Sequence, residues 1–258
     1  MITISIDPIA FLNVRWYGIM VALAILVVVL WLLREARKGA RISTDTVFTA
    51  AVVGIPSGVI FSRLLHVLDF WNYYSQHPGE IIGGSGLSIY GAILGAALGI
   101  WIYSRFGKFQ FGYLADLLVP GLALAQAVGR VGCTINGCCY GTPTTLPWGL
   151  VYTHPNSLAP LGISTQPAVV YEIIFLLIVF GVMLPLRGKL TPNGSLFLIY
   201  LGLYAVWRFG IDFLRTGTPF LFGLHQAQVI ALVSLAVIVP LLALKTRRAK
   251  RDLPKLEE

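Results

Sequence analysis

The chain has 258 residues and a net charge of +8, from 19 Lys and Arg against 11 Asp and Glu. Only 12% of residues are charged, about half the share of a soluble globular domain. With 57% hydrophobic residues, this excludes a disordered chain and leaves more apolar surface than a soluble enzyme can hide. What remains is a polytopic membrane protein with apolar runs joined by short polar loops. The runs are near-continuous and lack the apolar/polar alternation of barrel strands, so they are read as helices.

The elements follow in chain order. Seven spans are expected, at residues 16–33, 47–68, 87–106, 114–132, 168–186, 194–213 and 226–244. Arg15 precedes the first, and Arg34, Arg37, Lys38 and Arg41 follow it. The second carries Arg63, with His66 and Asp69 one and two turns beyond. The third carries Gly91, Gly95 and Gly99 at four-residue spacing, and the fourth repeats this with Gly121, Ala125 and Gly129. Such stripes let helix backbones approach closely. Asp116 opens the fourth span and Arg130 closes it. Glu172 lies in the fifth. On the sixth, Tyr204, Arg208, Asp212 and Arg215 fall at about 0°, 40°, 80° and 20° on a helical wheel, one polar stripe on an apolar helix.

Loop charges set the expected orientation. Basic residues cluster after spans one, three and five (Arg105 and Lys108, then Arg187 and Lys189, in the latter two) and in the tail, where Lys245, Arg247, Arg248, Lys250, Arg251 and Lys255 lie. The opposite side has only Arg15 and Arg215. The positive-inside rule then puts the N-terminus outside and the C-terminus in the cytoplasm. A single membrane domain over 1–245 and a basic cytoplasmic tail over 246–258 are expected, with the longest outer loop at 133–167. Beside a membrane helix the tail suits anionic lipid rather than nucleic acid. No basic segment precedes the first apolar run, so no cleaved signal peptide is expected.

Charges at membrane depth are costly and mark function or pairing. Arg208 with Asp212 at i, i+4 reads as an ion pair. Arginines on three spans, Arg63, Arg130 and Arg208, could also converge on a phosphate. The run 129–141, Gly-Arg-Val-Gly-Cys-Thr-Ile-Asn-Gly-Cys-Cys-Tyr-Gly, has four glycines that permit positive φ or close approach of a ligand. Arg130 adds a fixed cation and Asn136 an amide. Cys133, Cys138 and Cys139 have a poor metal spacing, so no metal is expected. They are read as packing or lining rather than as nucleophiles.

With these residues in view, the chain resembles bacterial prolipoprotein diacylglyceryl transferase. The likeness covers nearly the whole chain. It rests on Arg15-Trp16-Tyr17-Gly18, Gly86-Leu87-Ser88-Ile89-Tyr90-Gly91, Asp116, the 129–141 run, Gln166-Pro167 leading to Tyr171-Glu172, and Tyr204-x3-Arg208-x3-Asp212-x2-Arg215. The resemblance implies an all-α, seven-helix enzyme of the bacterial inner membrane, with its site toward the outer leaflet. It implies transfer of the diacylglyceryl group of phosphatidylglycerol to the lipobox cysteine of a prolipoprotein, with release of glycerol phosphate and no cofactor.

Carried over by position, Arg130 and Arg208 are the catalytic arginines, joined by Tyr90. Arg130, Asn136, Gly141, Tyr17, Glu172, Tyr204, Asp212 and Cys133 bind substrate. Three positions depart from the family pattern. Tyr90 stands where some members carry His, Cys133 where an Asn is usual, and Asp212 where a Glu is usual. A lipid-binding protein or transporter without chemistry, or a related lipid transferase with another acceptor, is the alternative. A retinal protein is excluded, because the seventh span has no central lysine.

Overall fold

The computed structural model describes residues 1–12, 14–83, 86–107 and 109–251. Among them, seven helices are long and apolar enough to cross a membrane. In chain order the helices are α1 (Trp16–Arg37), α2 (Thr44–Asp69), the one-turn α3 (Trp71–Tyr74) and α4 (Glu80–Gly83), α5 (Ile89–Phe106), α6 (Phe111–Asn136), α7 (Ala168–Leu186), α8 (Ser195–Ile211) and α9 (Gln226–Arg251). The expected fifth span has the observed bounds, and the others shift by a few residues at their ends. Lys108 and residues 252–258, on which part of the expected charge asymmetry rests, lie outside the described residues.

The all-helical reading holds for the spans, while the segments before and between them add short strands. These are β1 (Ile2–Ile4), β2 (Ile9–Phe11), β3 (Val14–Arg15), β4 (Leu150–Tyr152), β5 (Ser164–Thr165), β6 (Pro219–Leu221) and β7 (Leu224–His225). Strand β1 pairs in parallel with β4, and β4 pairs antiparallel with β5. The long loop therefore has a framework of its own, with Leu150, Tyr152 and Ala159 buried together. It also begins later than expected. The fourth span continues past Gly132, so Cys133 and Asn136 are still helical. The helix stops where Gly137 takes φ +70°, the left-handed state that ends helices.

The chain divides into two compact units. In the unit Leu32–Leu114, α2 and α5 pack through the glycine stripe. A Cβ at Gly91 would lie 2.3 Å from the Phe61 carbonyl oxygen, and one at Gly95 would lie 2.5 Å from that of Ser57. Backbones this close exclude any side chain. Arg63 does not wait for a phosphate, as its sequence position suggested. Its guanidinium donates to the carbonyls of Ile81 (2.8 Å), Gly86 (2.9 Å) and Glu80, and so pins the segment before α5.

The other unit, Met1–Trp31 with Ala115–Glu258, has a core of Val119, Ala123, Val179, Met183, Leu196 and Tyr200 from α6, α7 and α8. The lipid-facing logic is visible on α7, where Ile174, Leu177, Ile178 and Val182 are exposed and Glu172 is buried. This inversion suits a helix whose solvent is hydrocarbon. Trp31 of α1 fits against Gly121, where a Cβ would lie 2.4 Å from the indole Cγ. Its Nε1 donates to the Leu117 carbonyl at 3.0 Å.

Asp116 is a cap rather than a loose charge. Its carboxylate accepts from the amides of Gly194 (2.5 Å) and Phe197 (2.8 Å) at the start of α8, where unpaired amides in an apolar surround would be costly. Asp116→Ala is expected to lose about 1–2 kcal/mol, at the upper end for a removed cap. Asp116→Asn should lose less, because it keeps one acceptor. Thermal unfolding in detergent measures both.

Candidate active site

The last turns of α6 carry Arg130 toward the first turn of α7 and the middle of α8. Arg130 Nη2 lies 2.7 Å from Glu172 Oε1. The Tyr204 hydroxyl donates to the same Oε1 at 2.9 Å and accepts from Arg130 Nη2 at 3.4 Å. Glu172 is 1% exposed. A carboxylate so buried needs its cation, and the cation needs its carboxylate. Glu172 Oε2 is nonetheless buried without a hydrogen-bond partner. The structure thus brings Arg130, Glu172 and Tyr204 together.

Four residues beyond Tyr204, on the same face of α8, stands Arg208. Its Nη2 pairs with Asp212 Oδ1 at 3.1 Å, as the i, i+4 spacing suggested. Its Nη1 is buried with no hydrogen-bond partner. The second Asp212 oxygen lies 2.9 Å from His225 Nδ1. The His225 amide donates to Gln228 Oε1 at 2.9 Å, and Gln228 Nε2 reaches the Phe209 carbonyl at 3.3 Å. His225 and Gln228 were not singled out from the sequence. They lie beyond a turn, and no spacing links them to Asp212.

The helical-wheel stripe stops at Asp212. Helix α8 ends at Ile211, residues Asp212–Leu214 form a tighter turn, and Arg215 is extended. Arg215 instead bridges to Gly141. Gly141 itself is crowded by protein. A Cβ there would lie 2.4 Å from Gln166 Cβ and 2.7 Å from the Leu214 carbonyl oxygen. The glycine lets the loop after α6, the Gln166 segment and the end of α8 meet. Its amide donates to the Gln166 carbonyl at 3.1 Å.

The other glycines of the 129–141 run behave similarly. A Cβ at Gly132 would lie 2.8 Å from Met20 Cβ and 3.2 Å from Tyr17 Cα. Gly132 therefore brings Tyr17 against α6. A Cβ at Gly137 would lie 2.1 Å from Ser157 Oγ. Only at Gly129 would it meet open space. The four glycines were read as permitting positive φ and close approach of a ligand; Gly137 does take positive φ, and Gly132, Gly137 and Gly141 also accommodate the chain's own segments.

Asn136 is buried and accepts at Oδ1 from Arg15 Nη1, 2.8 Å away. Arg15 was read from the sequence as a flanking charge and part of a motif, not as the partner of Asn136. Tyr90 lies in the first turn of α5 and is 38% exposed, in the unit Leu32–Leu114.

The cysteines form a cluster that the spacing did not suggest. The sulfurs of Cys133, Cys138 and Cys139 all lie within 4.8 Å of one another. Arg130 Nη1 approaches Cys133 Sγ at 3.8 Å. Side-chain hydrogen bonds from Cys133 and Cys138 hold the Cys139 thiol below its ordinary value, and the charges of Arg215 and Arg130 add to this.

Comparison with known proteins bears on this arrangement. Residues 3–244 match the family model described as prolipoprotein diacylglyceryl transferase. A protein of Dehalococcoides mccartyi named phosphatidylglycerol–prolipoprotein diacylglyceryl transferase is 51% identical over 254 residues, covering 97% of this chain and 98% of its own. Proteins of the same name from Acaryochloris marina and Clostridioides difficile are 38% and 35% identical. They cover 87% and 88% of this chain, and 84% and 90% of their own.

Glu172→Gln is expected to leave the Arg130 guanidinium buried without its counter-charge. Breaking such a pair costs about 3–5 kcal/mol, an upper range here because the Arg130 side chain is 21% exposed. Denaturant unfolding in micelles should show the loss, and Tyr204→Phe, which removes only a hydroxyl, should lose much less.

Proposed function

The chain belongs to the prolipoprotein diacylglyceryl transferase family, and from that premise we propose that it moves the diacylglyceryl group of phosphatidylglycerol onto the lipobox cysteine of prolipoproteins. The observation that carries this reading is a pair of largely buried guanidiniums, Arg130 near the end of α6 and Arg208 one turn past Tyr204 on α8. One is held by Glu172 and Tyr204. The other is held by Asp212 with a buried Nη1 unspent. An unspent buried donor is costly unless an anion uses it, and a lipid phosphate is such an anion.

In the proposed reaction the substrate thiolate attacks the glycerol carbon that bears the phosphate. A C–S bond forms, the C–O bond breaks, and the electron pair leaves on the phosphate oxygen of glycerol phosphate. Arg130 and Arg208 stabilise the charge that grows there, in a low-dielectric site where fixed donors act strongly. Glu172, Tyr204 and Asp212 hold the arginines in position. Asn136, steadied by Arg15, lies six residues past Arg130 on the same helix. Tyr17 and Cys133 line the approach, and Gly141 keeps the surrounding segments together. Tyr90 is proposed to act on the substrate by its position in the family pattern, its hydroxyl offering one hydrogen-bond donor.

The distribution of loop lysines and arginines supports an outer N-terminus and a cytoplasmic C-terminus in the inner membrane. The site then faces the outer leaflet, and phosphatidylglycerol enters sideways from the bilayer.

Purified chain with phosphatidylglycerol and a lipobox peptide should add one diacylglyceryl group to the peptide cysteine, read by mass spectrometry. Arg130→Gln and Arg208→Gln should each lower the rate by about 10²-fold or more, the range for a lost transition-state donor. Near-normal rates in both variants would remove the clamp from the mechanism.

A further inference from the structure

Between α2 and α5 the chain builds an aromatic cavity that the mechanism above does not use. His66, Phe70, Tyr73, Tyr74 and Glu80 line an open space of about 260 Å³, far more than the about 10–15 Å³ that admits one water. The rings meet at steep angles rather than in a flat stack. His66 lies 4.9 Å from Phe70 at 47° and 5.9 Å from Tyr74 at 71°, and Tyr73 lies 5.2 Å from Tyr74 at 88°. Rings set this way present walls on several sides. The walls are also braced. His77 stacks on Tyr73 at 4.6 Å, and the Gly86 backbone presses on His66, where a Cβ would lie 2.1 Å from Nε2.

The charge at this cavity is negative. The Tyr73 hydroxyl donates to Glu80 Oε2 at 2.9 Å, which holds the carboxylate beside the rings. His66 stands on the last turn of α2, so the negative end of that helix dipole reaches the cluster too. Arg63 shows that these rings accept a cation. Its guanidinium lies 5.0 Å from the centre of the Tyr74 ring, with its donors turned to the carbonyls of Ile81 and Gly86. A carboxylate among aromatic faces repels a phosphate and would be costly to cover with an acyl chain. It favours a cation that can also donate hydrogen bonds.

The cavity's depth says where that cation comes from. It lies in the segment that joins two spans, Thr44–Asp69 and Ile89–Phe106, and so at a membrane face, among lipid head groups. Exposed Trp71 and Tyr73 beside it are of the types enriched at that level. We propose that this cavity binds the primary ammonium of an ethanolamine-type lipid head group. The ammonium rests on the aromatic faces and donates to Glu80, whose carboxylate can accept more than one hydrogen bond. A quaternary ammonium could not use that acceptor. The lipid phosphate stays outside, in the head-group layer. All of these residues belong to the unit Leu32–Leu114, and the proposal stands apart from the transferase reading.

The test is native mass spectrometry of the full chain, released from detergent that contains phosphatidylethanolamine or its N-acetylated form. The two lipids share chains and phosphate and differ in the ammonium. The expected result is one tightly held phosphatidylethanolamine, retained at about tenfold lower lipid concentration than the N-acetylated form, the scale of one desolvated cation–π contact. Glu80→Gln and Tyr73→Leu should each abolish that preference while circular dichroism stays helical. Glu80→Gln keeps the side chain's shape, so its loss reads the charge and not the fold.

Equal retention of the two lipids by the unsubstituted chain overturns the proposal, and so does an unchanged preference in both variants. If a lysine-bearing peptide, and neither lipid, is retained in a Glu80-dependent way, the cavity reads a protein lysine and the lipid proposal falls.

Discussion

A guanidinium at the end of a membrane helix must be neutralised where water is scarce, and the Arg130–Glu172 pair at 2.7 Å is that neutralisation. Neither partner could be buried alone. The pair fixes the end of α6 against the start of α7, and Tyr204 adds α8 to the same junction. The packed core of Val119, Ala123, Val179, Met183, Leu196 and Tyr200 then sets the spacing of these three helices below it. The polar junction and the apolar core depend on each other. The core brings the charges within reach, and the charges specify which faces meet.

A second pair extends this logic along α8. Asp212 is shared between Arg208 and His225, so both carboxylate oxygens are engaged and the side chain cannot swing away. The family resemblance puts a longer Glu at this position. Here the shorter reach is met by the tight turn that begins at Asp212 and by His225 closing from the other side. Arg208 is thus aimed by a residue that is itself aimed. The unspent Nη1 follows from that constraint and is not slack in the packing.

The spans were legible because hydrocarbon demands long apolar runs, and that signal is strong in any window of sequence. Tyr204 and Arg208 were legible because helical spacing is local. Arg215 was not, since the helix ends at Ile211 and no residue in the stripe announces it. Arg63 looked like Arg130 in sequence, a lone arginine at depth. What separates them is the partner: backbone carbonyls for Arg63 and a carboxylate more than forty positions away for Arg130. Partners at that separation leave no trace in composition or period. The glycines were only half legible for a related reason. A glycine that admits a ligand and one that admits a neighbouring segment look alike until the neighbour is known. Gly132, Gly137 and Gly141 have such neighbours, and Gly129 does not.

The same argument applies to the cysteines. A C-x4-C-C spacing reads as a poor metal pattern, with no second pair nearby and His154 far off in sequence. Two local events nonetheless gather the three sulfurs. The helix carries Cys133 one residue short of Thr134, whose carbonyl accepts from Tyr152 at 3.0 Å, so the end of α6 is anchored to β4. The left-handed turn at Cys139 then folds the next two sulfurs back toward that anchored end. A strained residue persists only where its surroundings over-determine it. Here the surroundings are the β4 anchor, the Gly141 crossing and the charge of Arg130. The turn that gathers the sulfurs is therefore held by the same segments that hold the arginine, which is why the two features share one end of one helix.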